Sequence, residues 1–187
     1  MVTISKELKE KISIYSILYD EAYKLYSTER DNSNTYNEDL VMEDRKFWTE
    51  KGHVNPDINF EILKNGKENV LFFELCIDKR AVSHFCFQIV PLGKGRMVGY
   101  LFWLYTLEEA RNKGITQYFL SRVLSTIQKH FIKEKIGLRV SQNNQVMIHI
   151  IEKLGFEKGP TEIEVGDDGV NEPEYEYILT KPVIRCI

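Results

Sequence analysis

The segment from Arg111 to Thr116 reads Arg-Asn-Lys-Gly-Ile-Thr and combines basic side chains with a glycine. It follows a run of aromatic and β-branched residues and precedes a stretch with apolar residues at helical spacing. The first four amides of a helix lack intrahelical partners and lie at the positive end of its dipole. A helix that begins at Gly114 therefore predicts an anion site, with Arg111 and Lys113 adding positive charge. The alternative is a plain strand-to-helix turn with solvated basic side chains.

Asn144 is a second polar residue at a predicted element boundary. It stands eleven residues before the Gly155-Phe156 pair, and the apolar stretch between them predicts a helix. Asn143 or Asn144 would cap that helix, and Gly155 would end it in the left-handed conformation. The residues expected to face inward are Val146, Met147, Ile150 and Leu154.

The elements that must position these residues follow an α/β order, with antiparallel hairpins first and one strand-helix-strand crossover later. The predicted strands are residues 59–63, 70–77, 81–90, 97–107, 136–141, 156–165 and 175–180, with a turn at Asn65-Gly66. The predicted helices are residues 4–27, residues 38–51, the helix after Asn144, and a helix after Gly114 with Ile115, Phe119, Val123, Ile127 and Phe131 inward. The predicted loops are residues 27–37 and the acidic segment 166–173. Because of the crossover, strands 97–107 and 136–141 are expected to be parallel neighbours, and the aromatic residues of 97–107 suit a central strand.

Composition excludes several classes of function. The chain has 187 residues, 43% hydrophobic and 28% charged, which is typical of one globular domain spanning residues 1–187. No apolar run approaches the ~20 residues of a membrane span, and we expect no secretory signal, because residues 1–26 mix Lys and Glu into the apolar pattern. The net charge of −3 argues against a nucleic-acid partner. Cys76, Cys86 and Cys186 lack metal-ligand spacing and form an odd set, so we expect packed thiols, no metal site and a cytoplasmic location.

Across roughly residues 97–159 the chain resembles the GNAT N-acetyltransferase superfamily. Arg111 and Gly114 match the family's Gln/Arg-x-x-Gly-x-Gly/Ala loop, while Thr116 replaces the final small residue. Asn144 and the Gly155-Phe156 pair match the following helix. The resemblance implies an α/β (α+β) fold with a mixed, mostly antiparallel sheet of about 6–7 strands and about 4 helices. It also implies a central parallel strand pair that splays apart, and acetyl-CoA as co-substrate.

The same resemblance implies which residues hold the cofactor. The backbone of Leu104, Tyr105 and Thr106 would pair with the pantetheine arm as an extra strand, next to Val140. Asn144 would bond to the arm, although a plain helix cap is the alternative. The pyrophosphate would lie against the loop and first helical turn, formed by Arg111, Asn112, Lys113, Gly114, Ile115, Thr116 and Gln117.

The family's acid and base positions are not filled by titratable side chains of the expected kind. The implied reaction is attack of a neutral amine on an acetyl thioester, with a proton supplied to the leaving thiolate. The family's tyrosine acid falls on Ile151, and the glutamate base of a subset falls on Arg139. Positioning alone can supply ~7–11 kcal/mol, or another side chain serves as the base. The candidates are Glu74, His84 and Tyr177, although His84 is readily interpreted as a packed residue, and Tyr100, Trp103 and Tyr105 as core.

The sequence therefore predicts an acetyl-CoA-dependent N-acetyltransferase, with direct attack by a primary amine of a small molecule or peptide in a ternary complex. A homodimer is a family-level expectation. The alternative is a non-catalytic acyl-CoA-binding or interaction module on the same scaffold. A nucleotide-phosphate binder is disfavoured, since neither Gly-x-Gly-x-x-Gly nor Gly-x-x-x-x-Gly-Lys-Ser/Thr occurs.

Arg139 could pair with a substrate carboxylate or phosphate, and the acidic run could attract a cationic amine, but both could equally be solvated surface. That run comprises Asp167, Asp168, Glu172, Glu174 and Glu176.

Overall fold

The strands and helices are taken from a computed structural model that describes residues 4–18, 70–93, 96–130, 135–164, 173–181 and 183. Numbering follows the described elements in chain order. The helices are α1 (Lys6–Lys11), a 3-10 helix (Glu108–Ala110), α2 (Ile115–His130) and α3 (Gln145–Lys153). The strands are β1 (Ile12–Leu18), β2 (Val70–Ile77), β3 (Arg80–Gly93), β4 (Arg96–Thr106), β5 (Lys135–Ser141), β6 (Phe156–Glu164) and β7 (Pro173–Leu179).

The strands form a seven-stranded mixed sheet in the order β1-β2-β3-β4-β5-β7-β6. The β1–β2, β2–β3, β5–β7 and β6–β7 pairs are antiparallel, while β4 and β5 run parallel. The predicted mixed sheet, its central strand and its parallel pair are therefore confirmed. The parallel ladder joins Val98–Leu101 to Lys135–Leu138 and ends there, although β4 continues to Thr106 and β5 to Ser141.

The chain falls into two compact units. The first unit consists of Met1–Gln88 with Trp103–Ile115, and the second of Ile89–Phe102 with Thr116–Ile187. The core of the first unit is dominated by β2 and β3, where Phe72, Phe73 and Phe85 have no exposed surface. The core of the second unit includes the apolar stripe of α2, and the predicted inward residues Phe119, Val123 and Ile127 are fully buried. One domain across residues 1–187 stays a prediction.

The first predicted helix is wrong over residues 12–18, and its remainder, residues 19–27, lies outside the described residues. Ser5 caps the short α1, accepting a hydrogen bond from the Leu8 amide at 3.2 Å, and the chain then turns into β1. The β-branched Ile12, Ile14 and Ile17 suit a strand, and all seven residues of β1 pair with β2. The helical spacing of apolar residues was outweighed by this pairing.

The predicted inward stripe of α3 is wrong at Val146, whereas the predicted inward Leu154 is fully buried and Met147 and Ile150 are half-buried. Val146 is 70% exposed, whereas Ile148 and Ile151 are buried at 9% and 0% exposure. The helix begins at Gln145, directly after its cap Asn144, and this start fixes which side chains reach the core. Ile151 therefore belongs to the core, where an apolar residue is needed.

Several other sequence predictions are confirmed, and some concern residues outside the described part of the chain. Cys76 and Cys86 are buried free thiols, as expected. Gly155 has φ +99, the left-handed conformation predicted for a helix end. The predicted loop 27–37, helix 38–51, strand 59–63, Asn65-Gly66 turn, Phe131 and residues 166–172 lie outside the described residues.

The β2–β3 hairpin generates a stability prediction. Asp78 and Lys79 form its two-residue turn with φ of 50 and 71, so both adopt the left-handed conformation. Lysine is strained there by about 1–2 kcal/mol, whereas glycine is not. Lys79→Gly should therefore raise the free energy of unfolding, by about 0.5–1 kcal/mol after the greater flexibility of glycine in the unfolded chain is subtracted. Urea denaturation of the two proteins measures the change, and a less stable variant would contradict this turn geometry.

Candidate functional site

The loop between β4 and α2 is held in place within the first unit. Its 3-10 helix buries Ala110 at 4% exposure. Arg80 Nη2 donates to Glu109 Oε1 at 2.7 Å, joining this helix to the start of β3. Both side chains are about half exposed, so this ion pair adds little stability, but it orients the 3-10 helix relative to the start of β3.

Arg111 has a defined orientation at the end of that helix. Its Nε donates to the Thr106 carbonyl oxygen at 2.9 Å, and its Cζ lies 5.7 Å from the centroid of the Tyr105 ring. Such a cation–π contact at an exposed position contributes about 0.5–1 kcal/mol. Within the described part of the chain, the terminal Nη atoms of Arg111 make no further polar contact, so they are free to bind an anion.

The backbone that follows is shaped to expose its amides. Asn112 has φ 60 and Gly114 has φ 76, so two left-handed residues flank Lys113. Successive amides near left-handed residues turn to the same side and form an anion-binding concavity. The first turn of α2 contains no acidic residue that would compete for those amides. Ile115 and Gln117 are buried at 1% and 8% exposure, which anchors the start of the helix.

The end of β4 is fixed by side chains of β3. Ser83 Oγ donates to the Tyr105 carbonyl at 2.9 Å and lies 2.8 Å from Thr106 Oγ1. The Leu107 amide donates to the Val82 carbonyl at 2.9 Å. Each bonded carbonyl keeps a second lone pair that could accept from a ligand. Trp103 has φ 53, which interrupts the regular pleat of the strand.

Tyr105 corrects one sequence interpretation. We expected a core residue, but its side chain is 44% exposed. The Tyr105 ring stacks on the buried His84 imidazole, with 5.7 Å between the ring centroids. The Arg111 guanidinium carbon also lies 5.7 Å from the centroid of the Tyr105 ring. The backbone is irregular at Trp103, two residues earlier, where φ is 53.

Glu74 and His84 are brought together on neighbouring strands of the first unit. They are directly paired across β2 and β3, and Glu74 is also paired with Tyr15 of β1. Glu74 has no exposed surface and accepts a hydrogen bond from Cys76 Sγ at 3.4 Å. A buried carboxylate beside a buried imidazole is a plausible place for proton transfer, so both residues stay candidates.

His84 lies in an aromatic cluster. Its ring centroid is 5.1 Å from Phe72, 5.6 Å from Trp103 and 5.7 Å from Tyr105. Burial lowers its pKa from 6.5 to about 4, because the charged imidazolium would lose its hydration. His84 is therefore neutral near pH 7, and its packing suits a structural role.

The remaining predicted residues belong to the second unit. Tyr177 is buried at 3% exposure and donates to Glu152 Oε1 at 3.3 Å; burial and then that carboxylate raise its pKa. Asn144 caps α3, because its Oδ1 accepts from the Met147 amide at 3.1 Å. Thr116 is half-buried in the first turn of α2. Tyr177 thus lies in a different unit from Glu74 and His84.

Sequence reasoning missed Tyr100. This residue lies on β4 opposite Gly137 of β5, and no described residue completes a hydrogen bond with its buried hydroxyl oxygen. Burial raises its pKa, while the nearby Arg139 opposes that shift. The glycine facing an aromatic residue across a parallel ladder was the available signal.

Two other kinds of site find no support in the described residues. No helix in the described ranges is both long and apolar enough to cross a membrane. Within the same ranges, no group of three or more His, Cys, Asp or Glu side chains could hold a metal ion.

Comparison with known proteins gives the family. The model of the acetyltransferase (GNAT) family matches residues 14–156. The chain belongs to the GNAT acetyltransferase family. The match includes the loop and helix on which the resemblance was based, and extends well before residue 97. A comparison with curated protein sequences found no match.

Solved GNAT structures share the fold at low sequence identity. Arabidopsis thaliana Naa50 in complex with the bisubstrate analogue CoA-Ac-MVNAL has a TM-score of 0.57 and 18% identity, covering 90% of this chain and 97% of that chain. The Escherichia coli ribosomal-protein-S18-alanine N-acetyltransferase has a TM-score of 0.56 and 17% identity, covering 90% of this chain and 92% of that chain. A GNAT acetyltransferase from Streptococcus pneumoniae has a TM-score of 0.59 and 15% identity, covering 90% of this chain and 98% of that chain. Identities this low support the fold alone.

The buried imidazole generates a pH prediction. The folded pKa of about 4 lies below the ordinary histidine pKa of 6.5, so between these values the unfolded chain binds a proton that the folded chain does not. This contribution to stability is complete above pH 6.5 and is lost as the pH falls towards 4. Between pH 7 and 5 the loss of stability from this source amounts to about 2 kcal/mol. His84→Phe keeps an aromatic ring but does not titrate, so its stability should fall by about 2 kcal/mol less over this pH range.

Urea denaturation at pH 7, 6 and 5 measures this difference. The same series on His149→Gln, a substitution at an exposed histidine of α3, serves as the control and should follow the wild type. An equal acid slope in His84→Phe and the wild type would show that His84 is protonated in the folded protein.

Proposed function

We propose that this chain transfers the acetyl group of acetyl-CoA to a primary amine by direct attack in a ternary complex. The observation that carries the proposal is the β4–α2 loop, in which two left-handed residues precede a helix whose first turn holds no acidic side chain. A diphosphate suits this loop because several backbone amides and a fixed guanidinium are offered together. Buried free thiols suit a reducing compartment such as the cytoplasm.

The residues of the loop would divide the work of binding. The amides from Asn112 to Gln117 would hold the pyrophosphate, and Gly114 lets the backbone approach it without a Cβ in the way. Arg111 would contribute its terminal Nη atoms while its Nε remains bonded to the Thr106 carbonyl. The backbone of Leu104, Tyr105 and Thr106 would pair with the pantetheine arm as an additional strand, at a strand end fixed by Ser83 and Arg111.

The reaction requires little acid–base chemistry from the protein. The amine nitrogen forms a bond to the acetyl carbon, the carbon–sulfur bond breaks, and the proton lost by nitrogen balances the thiolate. A neutral His84 could accept a proton, but its low pKa makes it a weak base, and Glu74 is fully enclosed. These properties favour catalysis mainly by positioning, which can supply ~7–11 kcal/mol.

A second function is a non-catalytic acyl-CoA-binding or interaction module on the same scaffold. The observation in its favour is Ile151, which occupies the family's acid position and is fully buried. Acetyl-CoA binding without release of CoA in the presence of any amine would favour this alternative.

The acceptor is not decided by the fold. Similar structures include Naa50 with a bisubstrate analogue ending in the peptide MVNAL, and a spermidine N-acetyltransferase from Vibrio cholerae. One of these titles names a peptide and the other a polyamine, and both share the fold of this chain. The acceptor class must therefore come from the residues of this chain.

Replacement of Gly114 tests the placement of the pyrophosphate. Gly114→Glu would put a carboxylate against the diphosphate and should weaken acetyl-CoA binding roughly 100-fold, equivalent to about 3 kcal/mol. Gly114→Ala is the matched control, because it carries the same left-handed strain of about 1–2 kcal/mol without the charge. Isothermal titration calorimetry with acetyl-CoA measures both variants. Unchanged affinity in Gly114→Glu, or absence of binding by the wild type at millimolar acetyl-CoA, would contradict the proposal.

Asn144 can be tested for binding separately from capping. Asn144→Asp keeps an oxygen that accepts from the Met147 amide but removes the amide donor, so stability should hold while acetyl-CoA affinity falls several-fold. Asn144→Ala should in addition lose about 1 kcal/mol of stability. Thermal unfolding and calorimetry separate the two effects, and full affinity in Asn144→Asp would leave the residue as a helix cap only.

A further inference from the structure

The sheet of the second unit has two chemically different faces. Residues of β5 that alternate with the buried Leu138 and Val140 include the exposed Arg139 and the half-buried Ser141. Their partners across the antiparallel ladder are Glu176 and Glu174 of β7. One face therefore packs apolar side chains, while the other carries two carboxylates and a guanidinium in adjacent positions.

Two hydrogen-bond donors stand on this polar face beside the end of the parallel ladder. Arg139 is the first residue of β5 beyond the last paired position, Leu138. Tyr100 lies on the same face, since it is paired with Gly137, and its ring edge is 3.4 Å from the position of a Cβ on that glycine. The Arg139 guanidinium lies close enough to the Tyr100 hydroxyl to lower its pKa, which opposes the effect of burial.

The charges on this face are not paired with one another. Glu176 lies directly across the ladder from Arg139, yet no ion pair among the described residues joins Arg139 to Glu176 or Glu174. Instead, Glu176 Oε2 lies 3.4 Å from the position of a Cβ on Gly159 of β6, so the carboxylate rests over a glycine. Charges that are adjacent but not paired leave both donors and acceptors available to a ligand.

We propose that this face binds the acceptor, and that the acceptor is a zwitterion of amino-acid type, with a primary amine and a carboxylate in one small molecule. Arg139 donates to the carboxylate, and Glu174 and Glu176 accept from the N–H groups of the amine, which still donates after its ammonium form has lost a proton to solvent. Arg139 acts as a specificity-determining residue and takes no part in proton transfer. The inference rests on the proposed function, because it concerns the acceptor of that reaction.

Electrostatics distinguish this acceptor from a simple amine. A diamine would gain from the two carboxylates but would be repelled by the guanidinium, whereas a zwitterion satisfies both signs of charge. A peptide whose terminal carboxylate is remote from its amine could not reach both groups, since adjacent strands are only about 4.8 Å apart.

Matched acceptor pairs provide the test. CoA release is measured with phenylalanine and phenethylamine, and with lysine and cadaverine, so that each pair differs only by the carboxylate. The wild type should prefer the amino acid in each pair by kcat/KM. Arg139→Gln should lower kcat/KM for the amino acids roughly 10- to 100-fold through KM, with little change for the decarboxylated amines.

Lys135→Gln is the matched control, because it removes the same charge from an exposed position on the same strand and face. It should leave both members of each pair unchanged, and Arg139→Lys should restore part of the preference. A preference for the decarboxylated amines, or an equal effect of Arg139→Gln on both members, would overturn the inference. Failure of the wild type to bind acetyl-CoA by calorimetry would instead overturn the proposed function.

Discussion

The start of α2 imposes the constraint around which this site is organised. The amides of its first turn cannot be satisfied within the helix, so they need an external acceptor such as solvent or an anion. Contacts of the preceding loop keep this end rigid: the guanidinium of Arg111 is bonded to β4, Glu109 is paired with Arg80, and Ile115 is buried. A preformed donor array binds a diphosphate with little loss of conformational entropy, which suits a family that binds CoA.

The polar residues of the two units have different physical settings. In the first unit, Glu74 and His84 are both buried, and burial among aromatic side chains lowers the pKa of the His84 imidazole, which favours a structural role for it. In the second unit, Arg139 is exposed and Glu174 and Glu176 of β7 are half-buried on one face of the sheet, so all three keep contact with water. Ligand recognition is more readily built from the second arrangement, because exposed charges can exchange water for substrate at low cost.

The sequence predicted the fold where local patterns and long-range pairing agree. The hairpin around Asp78, the α2 stripe and the crossover that makes β4 and β5 parallel all have strong local signals. It failed where they conflict: residues 12–18 carry helical spacing but pair with β2, and Val146 of α3, predicted to face inward, is exposed. Tyr105 was assigned to the core but is 44% exposed, and the glycine opposite Tyr100 could not be seen from the sequence because it lies on the neighbouring strand.

The central claim is that backbone amides of one loop hold the diphosphate of the cofactor. Amide chemical shifts of the ¹⁵N-labelled protein, followed during titration with CoA, test it most directly. The account predicts the largest downfield changes at residues 112–117, with the same residues responding to ADP, which shares the diphosphate but lacks the pantetheine arm. Changes confined to other segments, or none at the loop under saturating CoA, would contradict it.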